Sequence, residues 1–175
     1  GLGFWGGGAM ETGVVHVSLN FASRKSLQVL FVCENNLYSV YSPLSVRQPA
    51  HRTISQVAEG HGVAVFTADG NDMERVAEVT QLAREVIDSG RGPAFLELST
   101  YRWREHCGPN YDNEVGYRSE AEFLEWQQKD PIARTGALVE PRLFAEAIAE
   151  IEAEIDDAVT FAKDSPFPEP HWAAE

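Results

Sequence analysis

Three glycines, Gly6, Gly7 and Gly8, follow a short apolar segment and precede a run of helical periodicity. Such a loop can turn backbone N–H groups and a helix N-terminus toward a diphosphate. It can equally be a tight strand-to-helix turn. A phosphate loop that also holds a metal usually brings a carboxylate, and "GGGA" brings none. Further on, "ENN" (Glu34 to Asn36) offers side-chain amide oxygens that suit a hard cation such as magnesium, or else forms an Asn-rich turn. "DGND" reads as a turn and N-cap. His106 stands beside Cys107, but adjacent side chains point apart and no third group orients them for nucleophilic catalysis. His106 is therefore expected as a hydrogen-bonding group in a ligand pocket. His16, His51, His61 and His171 lack metal-ligand spacing and read as surface or locally bonded histidines. Trp103 and Trp126 read as packing residues.

These residues need elements to position them, and the periodicity supplies candidates. Residues from about Glu11 to Ser23 read as a helix with Val14, Val17, Leu19, Phe21 and Ala22 as its apolar positions. "QVLFVC" (Gln28 to Cys33), "VAVFTA" (Val63 to Ala68) and "AFLELS" (Ala94 to Ser99) are continuous apolar runs, as in strands buried on both faces. A first strand ends near Phe4. Thr53 and Gln56 have capping-box spacing, and so do Asn71 and Glu74, before a long helix that Gly90 closes. Ser119 and Glu122 cap another helix, and Glu140 to Lys163 is the last, with Pro141 in its first turn. Between Ser99 and Ser119 lies a long polar loop without periodicity, the kind that more often carries function.

Alternating buried strands and helices imply an α/β fold, a parallel sheet with helices on both faces. In such sheets ligands bind at the carboxyl ends of the strands. "GGGA", "ENNLYS", "DGND" and "TYRWREH" all fall at those ends. One domain is expected over residues 1–163, followed by a proline-rich tail over 164–175.

The chain has 175 residues and ordinary globular composition, with 43% hydrophobic and 23% charged residues. A net charge of −13 disfavours nucleic acid and anionic membrane surfaces as partners. No apolar run approaches the roughly 20 residues of a membrane span. Cys33 and Cys107 do not make a disulfide framework, so a cytoplasmic setting is expected. An opening inside an apolar glycine-rich segment suggests an N-terminally truncated fragment.

The segments "GGGAMETG…SLNFAS…VLFVCENNLYSVYSP", "TADGND", "GPAFLELSTYRWREHCGP" and "DPI" together resemble the alpha subunit of thiamin-diphosphate-dependent 2-oxo acid dehydrogenases, of the pyruvate, branched-chain or acetoin type. The resemblance covers nearly the whole chain and about the C-terminal half of such a subunit. It implies a thiamin-diphosphate-binding fold, with Gly6, Gly7, Gly8 and Ala9 at the cofactor. It also implies magnesium held by the Asn36 side chain and the Tyr38 carbonyl, Arg102 near the diphosphate, and His106 as the histidine beside the cofactor. The family aspartate falls on Gly7, so the resemblance implies an impaired metal site. Val17 stands where the family often has glutamate, while Asn20 is kept. The implied activity is oxidative decarboxylation of a small 2-oxo acid, with acyl transfer to lipoamide. The implied partners are a beta subunit in an alpha2-beta2 assembly and the lipoyl acyltransferase component, and the isolated chain is expected to be inactive. A noncatalytic, degenerate subunit that binds a homologous partner is the alternative.

Overall fold

The computed structural model describes residues 1–168. In chain order its strands are β1 (Leu2–Gly6), β2 (Leu30–Asn35), β3 (Tyr38–Ser39), β4 (Ser42–Pro43), β5 (Ala64–Asp69) and β6 (Ala94–Ser99). Its helices are α1 (Gly13–Arg24), α2 (Leu44–Arg47), α3 (Ile54–Glu59), α4 (Met73–Asp88), α5 (Glu120–Gln127), α6 (Pro131–Gly136) and α7 (Pro141–Asp164). The chain divides into two compact units, Gly1–Arg134 and a second that begins at Thr135.

In the first unit β1, β2, β6 and β5 form a parallel sheet in that order. One face buries Phe31, Cys33 and Phe95 against Val15 and Leu19 of α1 and Ile54 and Ala58 of α3. The other buries Val32 and Leu96 against Val79 and Ala83 of α4. The expected two-sided parallel sheet is thus present, because each central strand carries apolar residues on both faces. On the α4 face, Leu2 and Phe4 of β1 stay exposed.

Several local expectations shift. The first strand runs to Gly6 and pairs along its five residues with β2. The glycine loop does not enter an α-helix directly. It forms a 3-10 turn, Gly7–Glu11, and α1 begins only at Gly13. The buried stripe of α1 is Val15, Leu19 and Ala22, spaced i, i+4, i+7, whereas Val14, Val17 and Phe21 are exposed. An apolar side chain in sequence does not reveal which of two adjacent stripes meets the sheet. The cap of α4 is Asp72, whose side chain accepts from Arg75 N, and not Asn71, which is buried. Thr53 and Gln56 make both bonds of the capping box at α3. Ser119 accepts from Glu122 N at α5, as its spacing suggests. The β3–β4 hairpin, α2 and α6 carry too few residues for periodicity to show.

The second unit holds α7, a 24-residue helix with Glu140 as N-cap and Pro141 at its start. Gly136 packs against the Phe144 ring, and Val139 N donates to Gly136 O, so the turn into the helix folds on itself. The expected tail begins within the described residues but lies mostly outside them, as does His171. No described helix is long and apolar enough to cross a membrane.

Leu19→Ala should destabilise the fold by about 2–5 kcal/mol, since Leu19 is 0% exposed. Val17→Ala, at 69% exposure, should stay within about 0.5 kcal/mol. Urea unfolding of both variants checks the orientation of α1, and equal losses would contradict it.

Candidate functional site

Parallel strands all end on one edge, and the loops that leave that edge enclose a cavity of about 270 Å³. Gly6, Gly7, Gly8 and Ala9 form one wall; Asn36, Tyr38, Ser39 and Val40 form a second; Arg102 and His106 close it. Every site residue expected from the sequence lines this one cavity, although the outermost, Gly6 and His106, are far apart along the chain. Ser39 and Val40 were not anticipated.

The first two walls touch closely. A Cβ on Gly8 would lie 2.8 Å from Ser39 Oγ, so only glycine lets the loop and the β3–β4 hairpin meet. A Cβ on Gly7 would lie 3.1 Å from Asn35 Oδ1, and that carboxamide would have to give by a few tenths of an ångström.

The second wall is a strained turn. Leu37 and Val40 have φ of 70° and 55°, a left-handed conformation that costs a β-branched residue most. Asparagine side chains stabilise it: Leu37 N donates to Asn35 Oδ1 and Tyr38 N to Asn36 Oδ1, both at 3.1 Å. Asn35 is buried, and its Nδ2 donates to Glu97 Oε1 at 2.9 Å. The other Glu97 oxygen accepts from Ser55 N in the first turn of α3. Asn35 belongs to the "ENN" run read from the sequence, here as part of a turn, whereas Glu97 was not singled out, although an acidic residue inside the apolar run "AFLELS" was the available signal. Opposite Tyr38 in the hairpin stands Pro43, which has no N–H, so the Tyr38 carbonyl takes no bond from its cross-strand neighbour. The Tyr38 hydroxyl donates to Glu122 on α5 at 2.8 and 3.0 Å. Burial, and then this carboxylate, push the hydroxyl well above its usual range.

The third wall hangs on a buried ion pair. Arg118 Nη2 donates to Asp112 Oδ1 at 2.5 Å, with both side chains buried. Arg118 also donates to the carbonyls of Arg102 and Trp103, so it grips the backbone that carries Arg102. Tyr117 donates to Asp112 Oδ2 at 2.8 Å. The Arg102 guanidinium donates to Val40 O at 2.9 Å and to Arg104 O at 2.5 Å, and lies 3.7 Å from Asp112. Arg102 therefore joins the polar loop to the strained hairpin while lining the cavity. His106 is exposed at the rim. Trp126 stacks on Tyr101 at 5.3 Å and Trp103 meets it edge-on, as packing residues would. Asp112, Tyr117 and Arg118 carry no sequence signal beyond lying in or beside a polar loop.

The donor set is cationic and neutral. Glycine N–H groups and the Arg102 guanidinium suit the oxygens of a diphosphate. The oxygens available to a cation are the Asn36 amide and the Tyr38 carbonyl, both uncharged. Among the described residues no group of three or more His, Cys, Asp or Glu could hold a metal ion. Magnesium usually takes one or two carboxylates, and the cavity lining has none, so the residues fit a diphosphate better than they fit the metal. Cys33 does not contribute; burial, then the nearby Glu97 and Glu34, push its thiol up to about 12.

The family model described as "Dehydrogenase E1 component" matches residues 2–171. The chain is 33% identical over 177 residues to 2-oxoisovalerate dehydrogenase subunit alpha of Bacillus subtilis (strain 168), covering 98% of this chain and 53% of that one. It is 31% identical over 169 residues to pyruvate dehydrogenase E1 component subunit alpha of Bacillus cereus, covering 93% and 45%. The similarly named subunit of Staphylococcus epidermidis is 32% identical over 165 residues, covering 89% and 44%. The chain thus spans about half the length of the curated relatives it matches.

Asp112→Ala should cost about 3–5 kcal/mol, because it strands the buried Arg118 charge. Asp112→Ala combined with Arg118→Met should recover part of that loss in denaturant unfolding. No recovery would mean that the loop depends on Arg118 for more than its pairing.

Proposed function

Because this chain belongs to the dehydrogenase E1 component family, we propose that it is the diphosphate-binding part of the alpha subunit of a thiamin-diphosphate-dependent 2-oxo acid dehydrogenase. The observation that carries this reading is the convergence of Gly6–Ala9, Asn36, Tyr38, Arg102 and His106 on one cavity at the carboxyl edge of a parallel sheet. Thiamin diphosphate, when bound, supplies the carbon nucleophile and the electron sink that a 2-oxo acid needs to lose carbon dioxide. The residues of this chain bind and orient. Glycine N–H groups and Arg102 would hold the diphosphate oxygens, and Arg102 is already held in place by Val40 O and by Asp112 beside it. His106, exposed at the rim, is the group that can donate to or accept from a ligand entering there.

Asn36 and the Tyr38 carbonyl are the oxygens that would face magnesium. With glycine at position 7 they act without a carboxylate, so divalent-cation dependence is weak in this reading. The reaction is decarboxylation of pyruvate or a related 2-oxo acid with transfer of the acyl group to lipoamide. Its partners are a beta subunit, in an alpha2-beta2 assembly, and a lipoyl acyltransferase. The two cysteines, which make no disulfide framework, support a cytoplasmic location. One specific observation favours a second reading, a noncatalytic subunit bound to a homologous one: the cavity lining holds no carboxylate.

Purified alone, the chain should show no turnover of pyruvate with cofactor, magnesium and an artificial electron acceptor. Activity without a beta subunit would refute that assignment of roles. In the assembly with its beta partner, Gly7→Asp should tighten magnesium-dependent cofactor binding by at least about 10-fold, roughly 1.4 kcal/mol. Asn36→Ala in that background should undo the gain. Calorimetric titration with and without magnesium measures both. An unchanged metal response in Gly7→Asp would show that position 7 does not face the cation.

A further inference from the structure

Tyr38 and Ser39 carry part of one cavity wall, and the residues on either side of them, Leu37 and Val40, both hold left-handed backbone. A turn strained at two non-glycine residues keeps its shape only where its surroundings hold it. Glu122, 84 residues further along the chain on α5, accepts from the Tyr38 hydroxyl with both carboxylate oxygens, at 2.8 and 3.0 Å. We infer that Glu122 is a positioning residue of the cavity: by anchoring the Tyr38 side chain it fixes where the Tyr38 carbonyl and Ser39 sit in the wall, and so sets ligand affinity from outside the lining. Its bearing on a ligand rests on the diphosphate reading of the cavity.

The turn is held at several points, each by a different element. Its own asparagines hold the amides of Leu37 and Tyr38. Leu44 N, at the start of α2, donates to Leu37 O at 2.7 Å. Arg102 holds Val40 O from the polar loop. Hairpin pairing adds little, because β3 and β4 are two residues each and Tyr38 stands opposite Pro43. The Tyr38 side chain adds a hold from α5, at the residue whose carbonyl belongs to the wall. A ring fixed at its far end restricts how its own Cα can swing.

The anchor is itself fixed. Glu122 N donates to Ser119 Oγ in the cap of α5. The next residue, Phe123, is buried, with the Arg118 guanidinium over its ring at 5.7 Å. The Tyr38 ring meets Tyr117 edge-on with centroids 5.2 Å apart, and Tyr117 is bound in turn to Asp112. Tyr38 is therefore held at its ring edge and at its tip before any ligand arrives, so binding orders little that is not already ordered.

The bond is also the strong kind. A hydroxyl donating to an ionised carboxylate makes a shorter and stronger bond than one between neutral groups. Burial, and then the carboxylate, push the Tyr38 hydroxyl above its usual range, so it stays a donor through the physiological range of pH. Glu122 is not among the cavity-lining residues, so it acts on a ligand through Tyr38 and adds no negative charge to the lining.

Two measurements on the full chain test this. Hydrogen exchange without ligand reads the anchor. Glu122→Ala should speed exchange of the bonded amides of Leu37, Tyr38 and Leu44 about 10-fold while those of β2 and β6 hold, and Glu122→Gln, which still accepts a hydrogen bond, should restore protection. Calorimetric titration with thiamin diphosphate reads the consequence. Tyr38→Phe and Glu122→Ala should each weaken binding roughly 10-fold, the size of one hydrogen bond to a charged group. Because both act through one bond, the double variant should lose no more than the larger single loss. Glu125→Ala, on the same helix and paired with Lys129, should change neither measurement. Additive losses, unchanged exchange in Glu122→Ala, or an equal effect of Glu125→Ala would overturn the proposal. No binding of thiamin diphosphate by the unaltered chain would refute the diphosphate reading instead, and the exchange pattern would still decide whether Glu122 positions the hairpin.

Discussion

Parallel registration of four strands is the constraint on which the rest of the first unit depends. Glu34 lies opposite Gly6, and Asn35 and Asp69 both lie opposite Ser99, so three strands release their loops at one level. A parallel pair cannot be closed by a hairpin, so each strand must return over a face through a helix. Helices therefore cover the faces, and the loops that carry chemistry collect at the carboxyl edge. A one-residue slip of β2 would move Asn35 off the face it shares with Glu97 and separate the glycine wall from the asparagine wall.

Apolar packing alone does not hold the walls, although Ala9 packs on the core and Tyr38 meets Tyr117 edge-on. Two polar arrangements fix them, one central and one in the long loop. Glu97 spends one oxygen on Asn35 and the other on the start of α3, which ties β2, β6 and α3 beneath the strained turn at Leu37. Asp112 and Arg118 organise the loop, which has no periodicity of its own. The buried charges persist because most of their partners are present: a carboxylate and two backbone carbonyls for the guanidinium, whose Nε alone stays unpartnered, and a tyrosine hydroxyl for the carboxylate. Strain at Leu37 and Val40 and the close approach of Gly8 to Ser39 are sustained by these bonds.

Charge on the molecule and charge at the site run in opposite directions. The chain carries −13 overall, yet the cavity lining has a guanidinium and no carboxylate. An anionic ligand is repelled at long range and attracted only at short range, where a guanidinium and backbone N–H groups replace its water.

Much was determined by sequence alone. Continuous apolar runs announced strands buried on both faces, and capping pairs such as Thr53 with Gln56 marked helix starts, because both signals are local and follow from backbone geometry. The residues that line the cavity were legible because they form short motifs at strand ends, which a parallel sheet must bring together. Tertiary structure decided what local pattern cannot hold. It chose Val15, Leu19 and Ala22 over Val14, Val17 and Phe21 as the buried stripe of α1, since only the position of the sheet distinguishes adjacent stripes. It made Asp72 rather than Asn71 the cap of α4, because Asn71 is drawn inward to accept from Thr100. It joined Asp112 to Arg118, Asn35 to Glu97 and His16 to His61. Partners far apart in sequence, or set in an aperiodic loop, meet only once the chain is folded, and their energies come from burial and distance, which no spacing along the sequence encodes.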